Sequence, residues 1–280
     1  MEIKKLRYFD ISNMPKFDSL KYTYVYDFSN RSWAVYADSE KIAAINVDCD
    51  QLKEGVTVSK ILQKSSGSVA KDMDIISDFQ VFKQRPEYRL LHIEIPQNIS
   101  DFPYVYGELL TGAIFVRARF HNVGCNPDDA WPWVEKCLNW LYTTDFFTAP
   151  ASSRYHDAFA GGLCFHSLRV AQRIVDLMHT FTFGDTSKLG DAVLCALVHD
   201  WCKINLYEPY NKNVKNEDTG VWEKVLAYRY TGKPLVNLGH GVSSMFLVNK
   251  FFRLNVEEAT AIRWHMGAFR VSDDEVDELQ

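Results

Sequence analysis

Leu194-Cys-Ala-Leu-Val-His199-Asp200-Trp-Cys-Lys203 decides how this chain is read. An imidazole and a carboxylate stand side by side at the end of an apolar run. A neutral His nitrogen and an Asp oxygen can share one divalent ion, whose charge the acid partly neutralises. Leu194, Ala196, Leu197 and Val198 predict a buried helix that holds the pair rigid at its end. A His-Asp dipeptide alone is common and means little. Here it has company: His166 lies upstream, and His240 and His265 lie downstream, each in or after an apolar, helix-like segment.

Those segments have the periodicity of amphipathic helices. Leu163, Leu168, Val170, Ala171, Ile174, Val175 and Met178 form a stripe with His166 near its start. The paired glycines Gly161 and Gly162 permit close backbone approach just before it. Leu189, Ala192, Val193, Ala196 and Leu197 deliver His199-Asp200. Met245, Phe246, Val248, Phe251 and Phe252 follow His240, and Glu257 to Trp264 lead to His265. Four helices that each bring a ligand to one centre describe a metal site in the core of a bundle.

Gly161-Gly-Leu-Cys-Phe-His166-Ser-Leu, Val198-His-Asp-Trp-Cys-Lys203, Gly239-His240-Gly and Arg263-Trp-His265-Met-Gly together resemble the HD superfamily of metal-dependent phosphohydrolases. The opening most resembles the branch with the bacterial HD-type 3′–5′ exoribonucleases and HD hydrolases of unassigned substrate. The resemblance spans roughly residues 144 to 270. It implies His166, His199, Asp200, His240 and His265 as metal ligands, with Asp200 bridging two ions. It implies Lys203 as a phosphate-binding cation, with Asp200 and Lys203 the catalytic pair. Arg154 and His156, before the double glycine, are candidates to reach a substrate phosphate with Lys203. A histidine-rich set suits one or two ions of Mn, Fe, Co, Ni or Zn. The superfamily usually closes its site with a later aspartate; Asp273, Asp274 and Asp277 are the candidates here. The expected activity is hydrolysis of a phosphoester in a nucleotide or short nucleic acid. The alternatives are a catalytically weak nucleotide sensor and a 3′–5′ exoribonuclease.

Composition sets bounds on this. The chain has 280 residues, 47% of them hydrophobic and 24% charged, as in ordinary globular proteins. A net charge of −5 argues against a broad nucleic-acid-binding surface, which would need clustered Lys and Arg. The six cysteines form no C-x-x-C pair, so reduced thiols in a cytoplasmic protein are expected. No apolar run is long enough to cross a bilayer. A homo-oligomer is compatible with all of this.

The expected class is α+β: a small β-rich N-terminal module over residues 1–127, then an all-α HD-type helical bundle over 128–280 with a β-hairpin insertion. Tyr22–Phe28 and Ser32–Tyr36 read as a hairpin, with Lys41–Val47 the next strand. Phe79–Phe82, Tyr88–Ile95 and Gly112–Phe120 also read as strands; in the last, Arg117 and Arg119 alternate with apolar residues. Val58–Leu62 reads as the start of a short helix, and Pro132 suits the first turn of the helix that opens the second domain. The insertion hairpin comprises Tyr207–Lys215 and Val221–Tyr230, with Lys212, Lys215 and Lys224 as cations that would face an anionic substrate. The N-terminal module is a candidate surface for a protein partner.

Overall fold

The structure, a computed structural model, describes residues 20–27, 30–46, 61–121, 127–181 and 188–267. Strands β1 (Thr23–Asp27), β2 (Ser32–Ala37), β3 (Glu40–Asn46) and β4 (Leu62–Lys64) form an antiparallel sheet in chain order. The expected hairpin is present, with Tyr24 opposite Val35 and Tyr26 opposite Trp33. Asp38 and Ser39 both have positive φ (47° and 71°), a backbone that matches the twist of the strands they join. Alternate residues Tyr24, Tyr26, Trp33, Val35, Ala43 and Ile45 are buried.

That face packs on helix α1 (Val69–Phe82). Tyr24 stacks on Phe82 at 4.6 Å between centroids, and Trp33 meets the same ring edge-on at 4.9 Å. The Tyr24 hydroxyl donates to Asp78 Oδ2 at 2.8 Å. The expected strand Phe79–Phe82 is therefore the last turn of a helix. Its apolar residues belong to a wider stripe, Ile75, Phe79 and Phe82, whose spacing is helical.

Two further strand expectations are corrected. Tyr88–Ile95 begins in a short helix, α2 (Pro86–Arg89), and continues as turns that bury Leu90, Leu91 and Ile93. Gly112–Phe120 lies inside the long helix α3 (Phe102–His121). Along α3 the buried residues include Tyr106, Leu109, Leu110, Ala113, Ile114 and Arg117, which recur with a period of 3.6. The apparent alternation was a short sample of that period. Of Val58–Leu62, residues 58–60 lie outside the described residues, and Leu62 starts β4.

Helix α4 (Pro127–Tyr142) places Pro127, not Pro132, at its start; Pro132 stands inside it. Helices α5 (Gly162–Phe181) and α6 (Leu189–Val198) follow, then a 3-10 turn at Trp201–Lys203. The insertion forms as expected, β5 (Tyr207–Lys215) pairing with β6 (Trp222–Tyr230). Helices α7 (His240–Val248) and α8 (Val256–Trp264) end the described chain.

Helix α6 is the central element. α3 and α5 pack along it, and α8 touches it. Val193, Leu194, Leu197 and Val198 are fully buried, each worth on the order of 1.5–3 kcal/mol in apolar burial. The end of α6 is thereby fixed. α3 precedes residue 127 yet packs on α6, and one apolar core runs from the sheet's Tyr24 to Ile262 of α8. Among the described residues no helix is long and apolar enough to cross a membrane.

Two helix starts depend on missing Cβ atoms. A Cβ on Gly162 would collide with the main-chain carbonyl of Asp157, and one on Gly241 with that of Arg263. Neither neighbour is a flexible side-chain tip that can swing away. Gly162→Ala should cost about 3 kcal/mol, the upper end for overpacking, read as a lower denaturation midpoint. A change below about 0.5 kcal/mol would show that the loop before α5 yields freely.

Candidate metal centre

The five expected ligands meet at one point. His166 comes from the start of the second turn of α5, His199-Asp200 from the end of α6, His240 from the first residue of α7, and His265 from the C-terminal cap of α8. Asp200 is the hub. Its Oδ2 lies 3.4 Å from His166 Nε2 and 3.2 Å from His199 Nε2. Its Oδ1 lies 2.9 Å from His240 Nε2 and 3.6 Å from His265 Nε2. Each carboxylate oxygen thus faces its own pair of imidazoles.

The chain also sets which ring nitrogen faces inward. His199 Nδ1 donates to the carbonyl of Ala196, and His265 Nδ1 to that of Ile262, both at 2.8 Å. Each ring folds back on the last turn of its helix and satisfies a carbonyl that helix ends leave open. This bond places one proton on Nδ1, so that in the neutral ring the Nε2 lone pair faces the centre, as metal-ligating imidazoles require. His166 Nδ1 faces Asp157 Oδ2 at 3.3 Å, and Arg169 holds the other Asp157 oxygen at 3.2 Å.

Electrostatics agree with the geometry. Burial pushes Asp200 toward protonation, but His199, His240 and His265 hold its carboxyl well below the usual carboxylate range. Burial also pushes His166 down, to about 4, against the attraction of Asp200, so it is neutral and able to donate a lone pair at pH 7. His199 is pushed down by burial as well, but Asp200 and the Ala196 carbonyl raise it above the ordinary imidazole range. Lys203 is buried, and its ammonium donates to Asp200 Oδ2 at 2.8 Å.

These residues fit a divalent cation. His265 Nε2 is buried with no hydrogen-bond partner, and a buried polar atom without one is costly. Three overlapping groups have ligand atoms within 4.8 Å of one another: His156-His166-Asp200, His199-Asp200-His265 and Asp200-Cys202-His240. An ion among them would give His265 Nε2 its missing partner.

The centre forms the floor of a cavity of about 700 Å³, with Tyr155, His156, Lys203, Tyr207 and Met266 in its lining. That size suits a small molecule. Of the expected substrate contacts, His156 lines the cavity, its ring centroid 4.7 Å from that of His166. Arg154 is exposed and is not among the lining residues. Lys212, Lys215 and Lys224 on the hairpin are likewise exposed and outside the lining; Tyr207 is the hairpin's contribution. Asp273, Asp274 and Asp277 lie outside the described residues.

Sequence reasoning missed two members. Asp157, whose Oδ2 stands 3.3 Å from His166 Nδ1, sits at φ 50° in a loop, and no periodicity marks such a residue. Cys202, whose Sγ lies 3.2 Å from His240 Nδ1, carries no sequence signal beyond that of a reduced thiol and its place two residues after Asp200. Cys137, Cys164, Cys195 and Cys202 are free thiols. Comparison with family models, with curated proteins and with solved structures found no match.

Proposed function

We propose that this chain is a metal-dependent phosphohydrolase that cleaves a phosphoester of a nucleotide or a short nucleic-acid end. The observation that carries this reading is the division of Asp200 between two imidazole pairs, Oδ2 toward His166 and His199, Oδ1 toward His240 and His265. A single carboxylate so placed suits a site for one or two ions of Mn, Fe, Co, Ni or Zn.

Such ions, when bound, polarise a phosphoryl oxygen and make water acidic enough to supply hydroxide near neutral pH. The chain's own residues supply the rest. Lys203 holds a fixed positive charge beside Asp200, where it would offset negative charge gathering on the phosphoryl group. His156, exposed at the rim against His166, is placed to donate a hydrogen bond or proton to the departing oxygen. Tyr155 and Tyr207 offer rings at the cavity edge on which a base can stack. The cavity volume favours a mononucleotide or a strand end over an extended polymer.

The test is metal analysis of the full chain, then assay with nucleoside mono- and triphosphates, cyclic dinucleotides and short RNA in each of the five metals. Turnover should appear in at least one pairing. In His199→Ala it should fall at least about 100-fold, the upper range for loss of even an outer partner of a metal ligand. Failure to retain any of the five metals would overturn the reading.

A further inference from the structure

We propose that Cys202 is a fourth ligand in the His240–His265 half of the centre, closing that half around a thiophilic, zinc-class ion, while the His166–His199 half keeps a position open to the cavity. This inference rests on the metal-centre reading and adds a thiolate to it.

Cys202, His240 and Asp200 offer ligand atoms that all lie within 4.8 Å of one another, close enough for one ion to draw them together. Cys202 Sγ lies 3.7 Å from His240 Nε2, and that nitrogen lies 2.9 Å from Asp200 Oδ1. Tetrahedral bonds of about 2.0–2.1 Å to nitrogen or oxygen and 2.3 Å to sulfur place such neighbours roughly 3.3–3.6 Å apart. His265 Nε2, buried and without a hydrogen bond, is 3.6 Å from the same carboxylate oxygen. Cys202, His240 and Asp200 thus form one ligand-spaced group, and His265 faces the same carboxylate oxygen. The thiol is held from behind: the Cys202 N–H donates to Ser244 Oγ at 3.0 Å, tying the 3-10 turn to α7.

The other half differs. His166, His199 and Asp200 Oδ2 provide three protein ligands, and the neighbouring His156 is exposed at the cavity. Three ligands with a free position are the pattern of catalytic ions, and four without one that of retained ions. His240 differs from His199 and His265 in the same sense. Their Nδ1 atoms are engaged by main-chain carbonyls, whereas His240 Nδ1 faces the Cys202 sulfur. As the sulfur–metal bond forms, the thiol proton passes to water, so uptake at this half releases a proton. The two ions then differ in exchange: one stays through dialysis and the other comes and goes.

Cobalt(II) is the probe, titrated into the metal-free full-length chain. A sulfur-to-cobalt charge-transfer band should appear in the near ultraviolet with the first equivalent. Cys202→Ser should abolish the band and weaken that ion about 10- to 100-fold, while the second ion binds as before. Cobalt bound by the wild type without the band, or a band that persists in Cys202→Ser, would overturn the proposal. Cys202 would then be a hydrogen-bond partner of His240, and the metal-centre reading would stand. If the serine variant does not fold, the wild-type spectrum alone decides. No cobalt uptake by the wild type would sink both readings.

Discussion

Asp200→Asn should abolish stable metal retention and, with it, hydrolysis. Asn keeps the shape and one acceptor oxygen but removes the charge that both imidazole pairs face. Each half of the centre then contains only neutral ligands around a dication, or a single thiolate in the half with Cys202. Lys203 also loses its anion. Its ammonium is 2.8 Å from Asp200 Oδ2, and both side chains are under a tenth exposed. Breaking a buried pair from one side costs about 3–5 kcal/mol, so the variant should be markedly less stable even without metal. Lys203→Met in the same background removes the stranded charge and should recover part of that stability without recovering metal. Metal content and denaturation midpoint together separate the two effects. Full metal stoichiometry in Asp200→Asn would count decisively against the centre as described.

The same charge governs pH dependence. Asp200 raises the affinity of His199 for its proton, and that proton must leave before Nε2 can hold a cation. Metal affinity should therefore weaken as pH falls through the raised pKa of His199. His166, pushed down to about 4, should add no pH dependence near neutrality. A competitive titration at several pH values checks this; an affinity that is flat from mildly basic to mildly acidic pH would contradict it.

The histidine cluster around Asp200 was legible because each histidine closes or opens an apolar helical stripe. Residues such as Leu197 and Val198 signal burial, and a histidine at the end of such a stripe has to answer for its polarity. The N-terminal half was less legible. Val116-Arg117-Ala118-Arg119-Phe120 alternates over five residues, which fits a strand as well as a helix. Tyr106, Leu109 and Leu110, about two to three turns earlier, carry the helical period, and the short window cut them off. Arg117 misled for a second reason. A buried arginine looks like a wet-face residue until its partner is known, and that partner, Glu258, lies 141 positions away. Asp157 and Cys202 were hidden because their roles depend on which rings they face. Loop conformation and the meeting of α7 with the 3-10 turn set this, and local pattern does not record it.

Arg117 leads to the second large effect, in Glu258→Gln. Arg117 on α3 is bound through Nε and Nη2 to both carboxylate oxygens of Glu258 on α8, and Nη2 also donates to the Arg253 carbonyl. Asp191 of α6 stands 3.7 Å from the same guanidinium. The paired side chains are 8% and 1% exposed, so solvent screens them little. Glu258 also accepts from the Asn255 N–H at 2.7 Å and completes the capping box that starts α8. Glutamine can keep that cap but not the charge, so the variant isolates the ion pair. The loss should be about 3 kcal/mol, the lower end for breaking a buried pair, because Asp191 and the Arg253 carbonyl remain. Glu257→Gln is the control one residue away. Its partner Lys188 is bound on the surface, with 40% and 73% exposure, and such pairs are worth about 0–1 kcal/mol. Because α8 carries His265 at its end, Glu258→Gln should also loosen metal at the His240–His265 half before it affects the other. Equal denaturation midpoints for Glu257→Gln and Glu258→Gln would show that the buried pair does not seat α8. Unequal midpoints with unchanged metal binding would show that α8 is seated by the pair while His265 is held by its own helix turn alone.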